Sequence, residues 1–495
     1  MSGLFGVVAR EDCASVLLHG TDYHSHLGTE YGGLALLHDG TFMRHIHSIS
    51  RSQFKSKFYD DRARMKGTSG IGVISDGEEQ PMYLHSRFGP FCLVTSGLVE
   101  NKAALQEQIL AAGLSFSEIA PDGVNTTELV GKLITRGRDL VDGIEHFFSV
   151  VQGACSLVLL HKDGLYAARD RCGYSPLVVG KKDGAWAVTT ETTAFANTGF
   201  TVVKDLKPGE IVLITPRGMV SRSPGRSIEQ ICALLWIYTG FPASNYDNIN
   251  VEVVRERCGR FLAQQDKDLE ADFVSGVPDS GIAHAIGYAM ESGIPYRRPL
   301  VKYTPGYGRS YTPPSQEIRD LVATMKLVPI ADIIKGNRIV VCDDSIVRGT
   351  QLKNFTVKKL WEAGAREVHV RPACPPLMFP CRYALSTRTT KELVARRAIR
   401  ALESSDNAPI DEYLDATTER YRRMVEWIRN DLGVTTLRYQ TVEDMVSAIG
   451  LPREQLCLHC WRGEGCTSAG DGCGAMPVRR QKKKHRTTNG KGEKL

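Results

Sequence analysis

The chain has 495 residues, of which 42% are hydrophobic and 24% charged, and a formal net charge of +6. That size allows two to four domains with cores of their own, and the composition is that of a globular protein. No stretch approaches the roughly 18 uninterrupted apolar residues of a membrane span, so no membrane role is expected. The excess charge belongs to the segment 479–495, where eight Lys or Arg face the single acid Glu493, and the rest of the chain is close to neutral. A basic tail of this composition is expected to be a solvated, disordered terminus, and nucleic acid is not expected as a partner. Thirteen cysteines, an odd number scattered over a long chain, argue against a secreted disulfide framework.

From the N-terminus, MSGLFGVVAREDC lacks the basic and long apolar regions of a secretory signal, so a cytoplasmic location is expected. Residues 1–230 alternate short apolar runs with Gly, Asp and Ser turns, as in GLFGVVAR, GIGVIS, FCLVTSG and EIVLITPRG. These read as strands and hairpins, interrupted by helix-like patches at Lys102–Ala112 and Thr127–Arg138. An α+β domain of stacked sheets with helices outside fits this pattern. From about Cys232 the rhythm becomes βαβ (ADFVSGV, IAHAIGYAMES, NRIVVCDD, LKNFTVKKLWEAG, EVHVRPA), which predicts a parallel sheet covered by helices over 231–450. Within it, 386–449 is rich in charged helix formers, and a Cys-rich, Gly-containing segment at 451–478 precedes the tail.

The strongest chemical signal is Arg338-Ile-Val-Val-Cys-Asp-Asp-Ser-Ile-Val-Arg-Gly-Thr350. An apolar strand ends in two adjacent carboxylates, Asp343 and Asp344, and a small-residue turn leads into a helical pattern. Ligands of open α/β sheets bind at that end of the strands, and unpaired N–H groups at a helix start suit a phosphate. The acids suit ribose hydroxyls or a magnesium ion.

The string resembles the phosphoribosyl pyrophosphate motif of type I phosphoribosyltransferases. With VSGVPDSGIAHAIGYA (274–289), KYTPGYGRSYTPPSQEIR (302–319), MKLVPI (325–330), ARDRCGYSPLVVG (168–180), TTETTAF (189–195) and KPGEIVLI (207–214), the chain resembles the glutamine phosphoribosyl pyrophosphate amidotransferase family. The likeness spans nearly the whole chain, apart from the tail and an inserted helical stretch near 395–435. It implies an N-terminal-nucleophile domain (αββα sandwich) over 1–230, followed by an α/β type I phosphoribosyltransferase domain with a parallel sheet. It also implies an amine transfer to the ribose of phosphoribosyl pyrophosphate in purine synthesis, and a homo-oligomer, often a tetramer. By residue, it implies magnesium at Ser280, Asp343 and Asp344, and phosphate contacts from Ser345, Arg348, Gly349 and Thr350. Arg309, Ser310 and Lys326 match positions on the flexible flap and near the pyrophosphate, so Arg309 and Lys326 join the two acids as catalytic candidates.

The glutaminase half departs from the family. Ser2 stands where the mature chain should begin with a thiol. Leu27 replaces an arginine in the segment His26-Leu27-Gly28, and Ser75 falls where an arginine should clamp the glutamine carboxylate. Ser96-Gly97-Leu98 replaces Asn-Gly-Asn, and Thr126 stands for the aspartate that meets the glutamine ammonium. One lost oxyanion donor costs roughly 100- to 1,000-fold in rate. The expectation is a retained fold without glutamine hydrolysis, with ammonia, a partner-delivered amine or another amine as donor. Two alternatives stand beside it: a non-catalytic binder of nucleotide or phosphoribosyl pyrophosphate, and a working glutaminase built on Ser2.

Many relatives carry a four-iron cluster on cysteines that match Cys232, Cys381, Cys457 and Cys460. Four soft thiolates are the count a [4Fe–4S] cluster needs. Zinc is the runner-up, with Cys466 or Cys473 as substitute ligands.

Overall fold

The apolar runs of the first half build two stacked antiparallel sheets in a computed structural model that describes residues 2–120, 123–226, 229–303, 327–383, 387, 389–405 and 410–464. Arg309, Ser310, Lys326, Cys466, Cys473 and the tail lie outside these residues. The first sheet has seven strands in the order Thr201–Asp205, Val178–Lys182, Ala185–Thr189, Gly3–Ala9, Ser69–Ser75, Tyr31–His38, Thr41–Ser48. The second has six: Gly218–Pro224, Glu210–Thr215, Gly164–Ala168, Gly153–His161, Gly89–Val99, Met82–Ser86.

Side-chain alternation decides what each face buries. Leu4, Val8, Ile71 and Val73 point between the sheets and meet Val94, Val158, Leu160 and Val212. Phe5, Val7 and Ile74 point outward, under the helix Ala14–Asp22 with Leu17 and Leu18. Helices Thr126–Ile134 and Leu140–Val150 cover the second sheet through Leu129, Leu133, Ile144 and Phe147. Each such fully buried side chain is worth roughly 1.5–3 kcal/mol relative to exposure. The layers are therefore helix, sheet, sheet, helix.

The second half holds a four-stranded parallel sheet in the order Phe273–Gly276, Arg338–Asp343, Glu367–Pro372, Thr436–Leu437. Helices Val251–Gln264 and Ile282–Ser292 pack on one face, and Val394–Glu403 and Glu419–Leu432 belong to the core on the other. Among the described residues no helix is long and apolar enough to cross a membrane.

Four elements differ from the sequence reading. The expected helix 127–138 ends at Ile134, because Gly137 lies against the next helix, where a Cβ would sit 2.2 Å from the Gly143 nitrogen. Helices Ala14–Asp22 and Leu140–Val150 were not expected, although Asp139 caps the latter by accepting from Val141 N and Asp142 N. The two-residue strand Thr436–Leu437 interrupts a stretch read as helical, since its pairing with His369–Val370 leaves no period-two signal.

Candidate active site

The strand Arg338–Asp343 lies inside the parallel sheet, so its C-terminal end opens beside the loop that follows Phe273–Gly276. That loop folds back tightly: Gly281 N donates to Val277 O at 2.8 Å, and Val277 N to Cys342 O at 2.9 Å. A Cβ at Gly281 would come within 2.1 Å of Cys342 O, so only glycine permits this approach. The result brings Ser280 over the acid pair, where its hydroxyl donates to Asp343 Oδ1 at 2.8 Å. Asp344 N donates to the same oxygen at 3.0 Å, and Ser345 Oγ to Asp344 Oδ2 at 2.5 Å. Both acids are buried. Burial and the neighbouring Asp344 push the Asp343 carboxyl well above the usual carboxylate range, offset in part by Ser280 and the Asp344 N–H. Hard oxygen donors that resist carrying negative charge together suit a small divalent cation.

Downstream, Gly349 turns the chain at φ +76°, and its carbonyl accepts from Lys353 N at 2.9 Å as the helical segment begins. Thr350 and Arg348 are exposed at this turn. The Arg348 guanidinium pairs with Glu392 at 3.0 Å, a partner the sequence did not suggest. Arg255 is a second unforeseen neighbour. Burial lowers its pKa while the charge of Asp344 opposes that shift, and its side chain donates to the carbonyls of Trp236, Tyr238 and Gly240.

In the first half, the register Gly3↔Ile74 and Tyr31↔Ser75 gathers Ser2, Ser75 and the His26–Gly28 turn at one end of the sheet. A Cβ on Gly28 would meet the Ser75 backbone at 2.9 Å. Ser96 Oγ donates to the Ser2 carbonyl at 2.6 Å, and Ser75 Oγ accepts weakly from Glu78 N at 3.4 Å. Leu27 and Leu98 are half-buried, and neither can donate a hydrogen bond from its side chain. Thr126 does not face an empty ligand position: its N–H and hydroxyl donate to the Glu78 carboxylate at 2.8 and 2.6 Å, and Lys102 pairs with that carboxylate at 3.2 Å. Glu78 and Lys102 were missed by sequence reasoning, because a Glu in a turn and a Lys at a helix start look like surface residues. His26 meets Glu191 at 2.9 Å. Glu191 in turn accepts from Tyr246 OH at 2.9 Å and Phe241 N at 3.3 Å, joining this end of the sandwich to the second half.

Cys232, Cys381, Cys457 and Cys460 line one cavity, together with Tyr174, Tyr383, His459 and Trp461. Parallel pairing of Ile231–Cys232 with Leu456–Cys457 carries the late cysteines back to the junction of the two halves. The Cys460 thiol is pushed well up by its hydrogen bond with Cys381, by burial, and by Cys232 and Cys457 nearby, and burial lifts Cys232 to about 12. Among the described residues no group of three or more His, Cys, Asp or Glu is set as it stands to hold a single metal ion. Four soft thiols from separate parts of the chain around one cavity nevertheless match the donor set of an iron–sulfur cluster.

Residues 68–197 match the family described as a glutamine amidotransferase domain. The chain is 32% identical to the amidophosphoribosyltransferase of Bacillus subtilis (strain 168), covering 93% of each chain. It is 30% identical to that of Methanocaldococcus jannaschii, covering 94% of this chain and 97% of that one. Among solved structures it resembles the glutamine phosphoribosylpyrophosphate amidotransferase from B. subtilis complexed with ADP and GMP, at a TM-score of 0.80 and 32% identity, covering 93% of this chain and 96% of that one. A structure described as the allosteric regulatory enzyme of purine biosynthesis gives the same TM-score, 0.80, at 31% identity, covering 93% of this chain and 95% of that chain. Likeness at this level over almost the full length, on an αββα sandwich joined to a parallel-sheet half, means that the chain belongs to the amidophosphoribosyltransferase family of phosphoribosyltransferase enzymes.

Proposed function

We propose that this protein transfers an amine to the ribose C1 of phosphoribosyl pyrophosphate with release of pyrophosphate, drawing on ammonia rather than glutamine. The observation that carries the first part is the cradle of Ser280, Asp343, Asp344 and Ser345 at the C-terminal end of a parallel strand. Ser280, Asp343 and Asp344 are the residues that would hold magnesium, which when bound neutralises charge on the pyrophosphate. The chain's own part is positioning. The turn from Ser345 to Thr350 offers N–H groups and hydroxyls to a phosphate, the two acids face the ribose, and Arg309 and Lys326 would meet the leaving group. The nitrogen lone pair attacks C1 as the C1–O bond to pyrophosphate breaks, through an oxocarbenium-like state.

The second part rests on the pocket around Ser2. Of the six positions that would bind or activate glutamine, none carries a thiol, a guanidinium or an amide donor. The carboxylate of Glu78, held by Thr126 and Lys102, stands among them. The glutamine carboxylate would meet no guanidinium at Ser75, and the carboxylate beside Thr126, Glu78, is already engaged by Lys102 and Thr126, so the glutamine ammonium would have to displace them, at a cost of several kcal/mol. Residues 1–230 thus act as a scaffold, 231–450 as the transferase, and 451–478 as the Cys-rich segment, from which Cys457, His459, Cys460 and Trp461 line the cysteine cavity. The four cavity cysteines would hold a [4Fe–4S] cluster of structural role, tying that segment to both halves.

The test is pyrophosphate release by the purified full-length protein with ammonia, with glutamine, and with neither. Release with ammonia alone is expected. Comparable release with glutamine would restore the Ser2 glutaminase reading, and no release under any condition would favour a non-catalytic binder.

A further inference from the structure

The helical stretch that the sequence marks as inserted does not hang free of the site. Its first strong contact is Val394 N donating to Val347 O at 2.8 Å, inside the phosphate turn itself. A Cβ on Gly349 would lie 3.6 Å from both Val394 and Leu432, so the turn is seated on the two helices Val394–Glu403 and Glu419–Leu432. Arg397 Nη2 then donates to the Arg348 carbonyl at 3.2 Å and pairs with Asp431 at 3.4 Å. Asp431 also pairs with Lys353, at 2.9 Å, on the segment that leaves the turn. Backbone on one side of the turn and a side chain on the other are thus held by a single Arg–Asp couple.

The Arg348 side chain points to the same stretch. Its guanidinium is largely exposed, yet it is engaged by Glu392 at 3.0 Å. A carboxylate on that arginine occupies the place an anionic ligand would compete for.

We infer that Glu392 and the helices Val394–Glu403 and Glu419–Leu432 are a clamp on the phosphate turn, in which Arg397 and Asp431 are positioning residues that fix its backbone and Glu392 is a counter-ion that phosphate must displace from Arg348. The inference rests on the proposed phosphoribosyl pyrophosphate site. Fixing the Arg348 carbonyl toward Arg397 leaves the opposite edge of the turn to present N–H groups to an anion. The two parts of the clamp act in opposite directions on affinity. Arg397 pre-organises the turn, whereas Glu392 competes with the ligand. A stretch that only stabilised the fold would weaken binding whichever residue was changed.

Calorimetric titration of the full-length protein with phosphoribosyl pyrophosphate and magnesium reads both parts. Glu392→Gln is expected to tighten binding by roughly 2- to 5-fold, the scale of one exposed ion pair. Arg397→Ala is expected to weaken it by about 10-fold with little change in Tm, and Arg397→Lys to recover part of the loss, since Arg397 meets the Arg348 carbonyl and Asp431 through one nitrogen, Nη2, and an ammonium on a differently shaped stem can donate to the same two acceptors. Amide hydrogen exchange without ligand supplies an independent reading: Arg397→Ala should speed exchange over 345–353 and leave the strand 338–343 protected. Unchanged or weakened binding in Glu392→Gln, or unchanged exchange at the turn in Arg397→Ala, overturns the clamp. Failure of the wild-type protein to take up the ligand at all, with the exchange result as expected, counts against the proposed substrate and leaves the mechanical clamp standing.

Discussion

The strand end at Asp343 and the strand end at Ser2 are opposite outcomes of the same kind of construction. Each gathers polar residues where a sheet runs out. At Asp343 two buried carboxylates share hydroxyl and N–H donors, and the charge of one raises the pKa of the other. At Ser2 the carboxylate present, Glu78, is already met by a lysine, a hydroxyl and an N–H, and Ser96 is spent on the Ser2 carbonyl. A protein does not leave buried polar groups unsatisfied without cause. The acid pair keeps an unfavourable charge contact that a cation would relieve, whereas the groups around Ser2 already satisfy one another.

The largest effect that tests this contrast is at the acid pair. Replacing both Asp343 and Asp344 with Ala should lower ammonia-dependent pyrophosphate release by about 1,000-fold or more. Asp343→Asn alone should cost binding yet raise the metal-free Tm at neutral pH. The sign follows from the raised folded pKa: ionised Asp343 destabilises the native state progressively as pH climbs from the unfolded value through the folded one. The same shift predicts that magnesium stabilises the protein less as pH falls, because a proton then competes for the site. A thermal-shift series with and without magnesium across pH 5–8 checks both, and a lowered Tm in Asp343→Asn would remove the contrast.

Next in size is the cysteine cavity, which couples the two regions. Cys460→Ser should reduce iron and acid-labile sulfide in anaerobically purified protein to about a tenth or less of wild type, with a fall in Tm. Retained metal without sulfide would point to zinc.

Acid sensitivity sharpens the comparison without separating its halves, since each contains histidine whose pKa is lowered by burial. His24, between Gly20 O and Thr189 Oγ1, is lowered to about 4, and His284, bonded to Arg255 O, to about 3. The unfolded chain takes up these protons from about pH 6.5 downward while the folded one refuses them, so stability falls over that window. The His24 contribution is about 3 kcal/mol by pH 4. A His24→Gln variant should flatten the acid limb of the Tm curve.

The smallest expected effect is none. Ser2→Cys restores a thiol but no guanidinium, amide or ammonium partner, so glutamine-dependent release should stay within background. A clear gain would show that the pocket is one residue from activity and that the two strand ends are less different than their hydrogen bonds suggest.

Much of this was legible from residues in a row. Stacked sheets with helices outside followed from short apolar runs such as GLFGVVAR and the parallel sheet from the βαβ rhythm after Cys232, whereas the αββα order came from the family resemblance. The acids and turn of 343–350 are contiguous, so strand, carboxylates and helix start could be read as one unit. Less legible were short or isolated elements. The Thr436–Leu437 strand is too brief for a period, and Gly137 ends a helix through a contact with Gly143 that no local pattern announces.

What the sequence determined by itself was therefore local chemistry: which segments bury a face, where two acids end a strand, and which pocket positions had changed type. Tertiary structure alone decided pairings between segments tens of residues apart. It put Ser280 on Asp343, Glu78 on Thr126 and Lys102, and Arg397 and Glu392 on the turn at 345–350. Hydrogen-bond periodicity acts over a few residues and leaves a trace in the string, whereas a contact between distant segments depends on how every intervening layer packs.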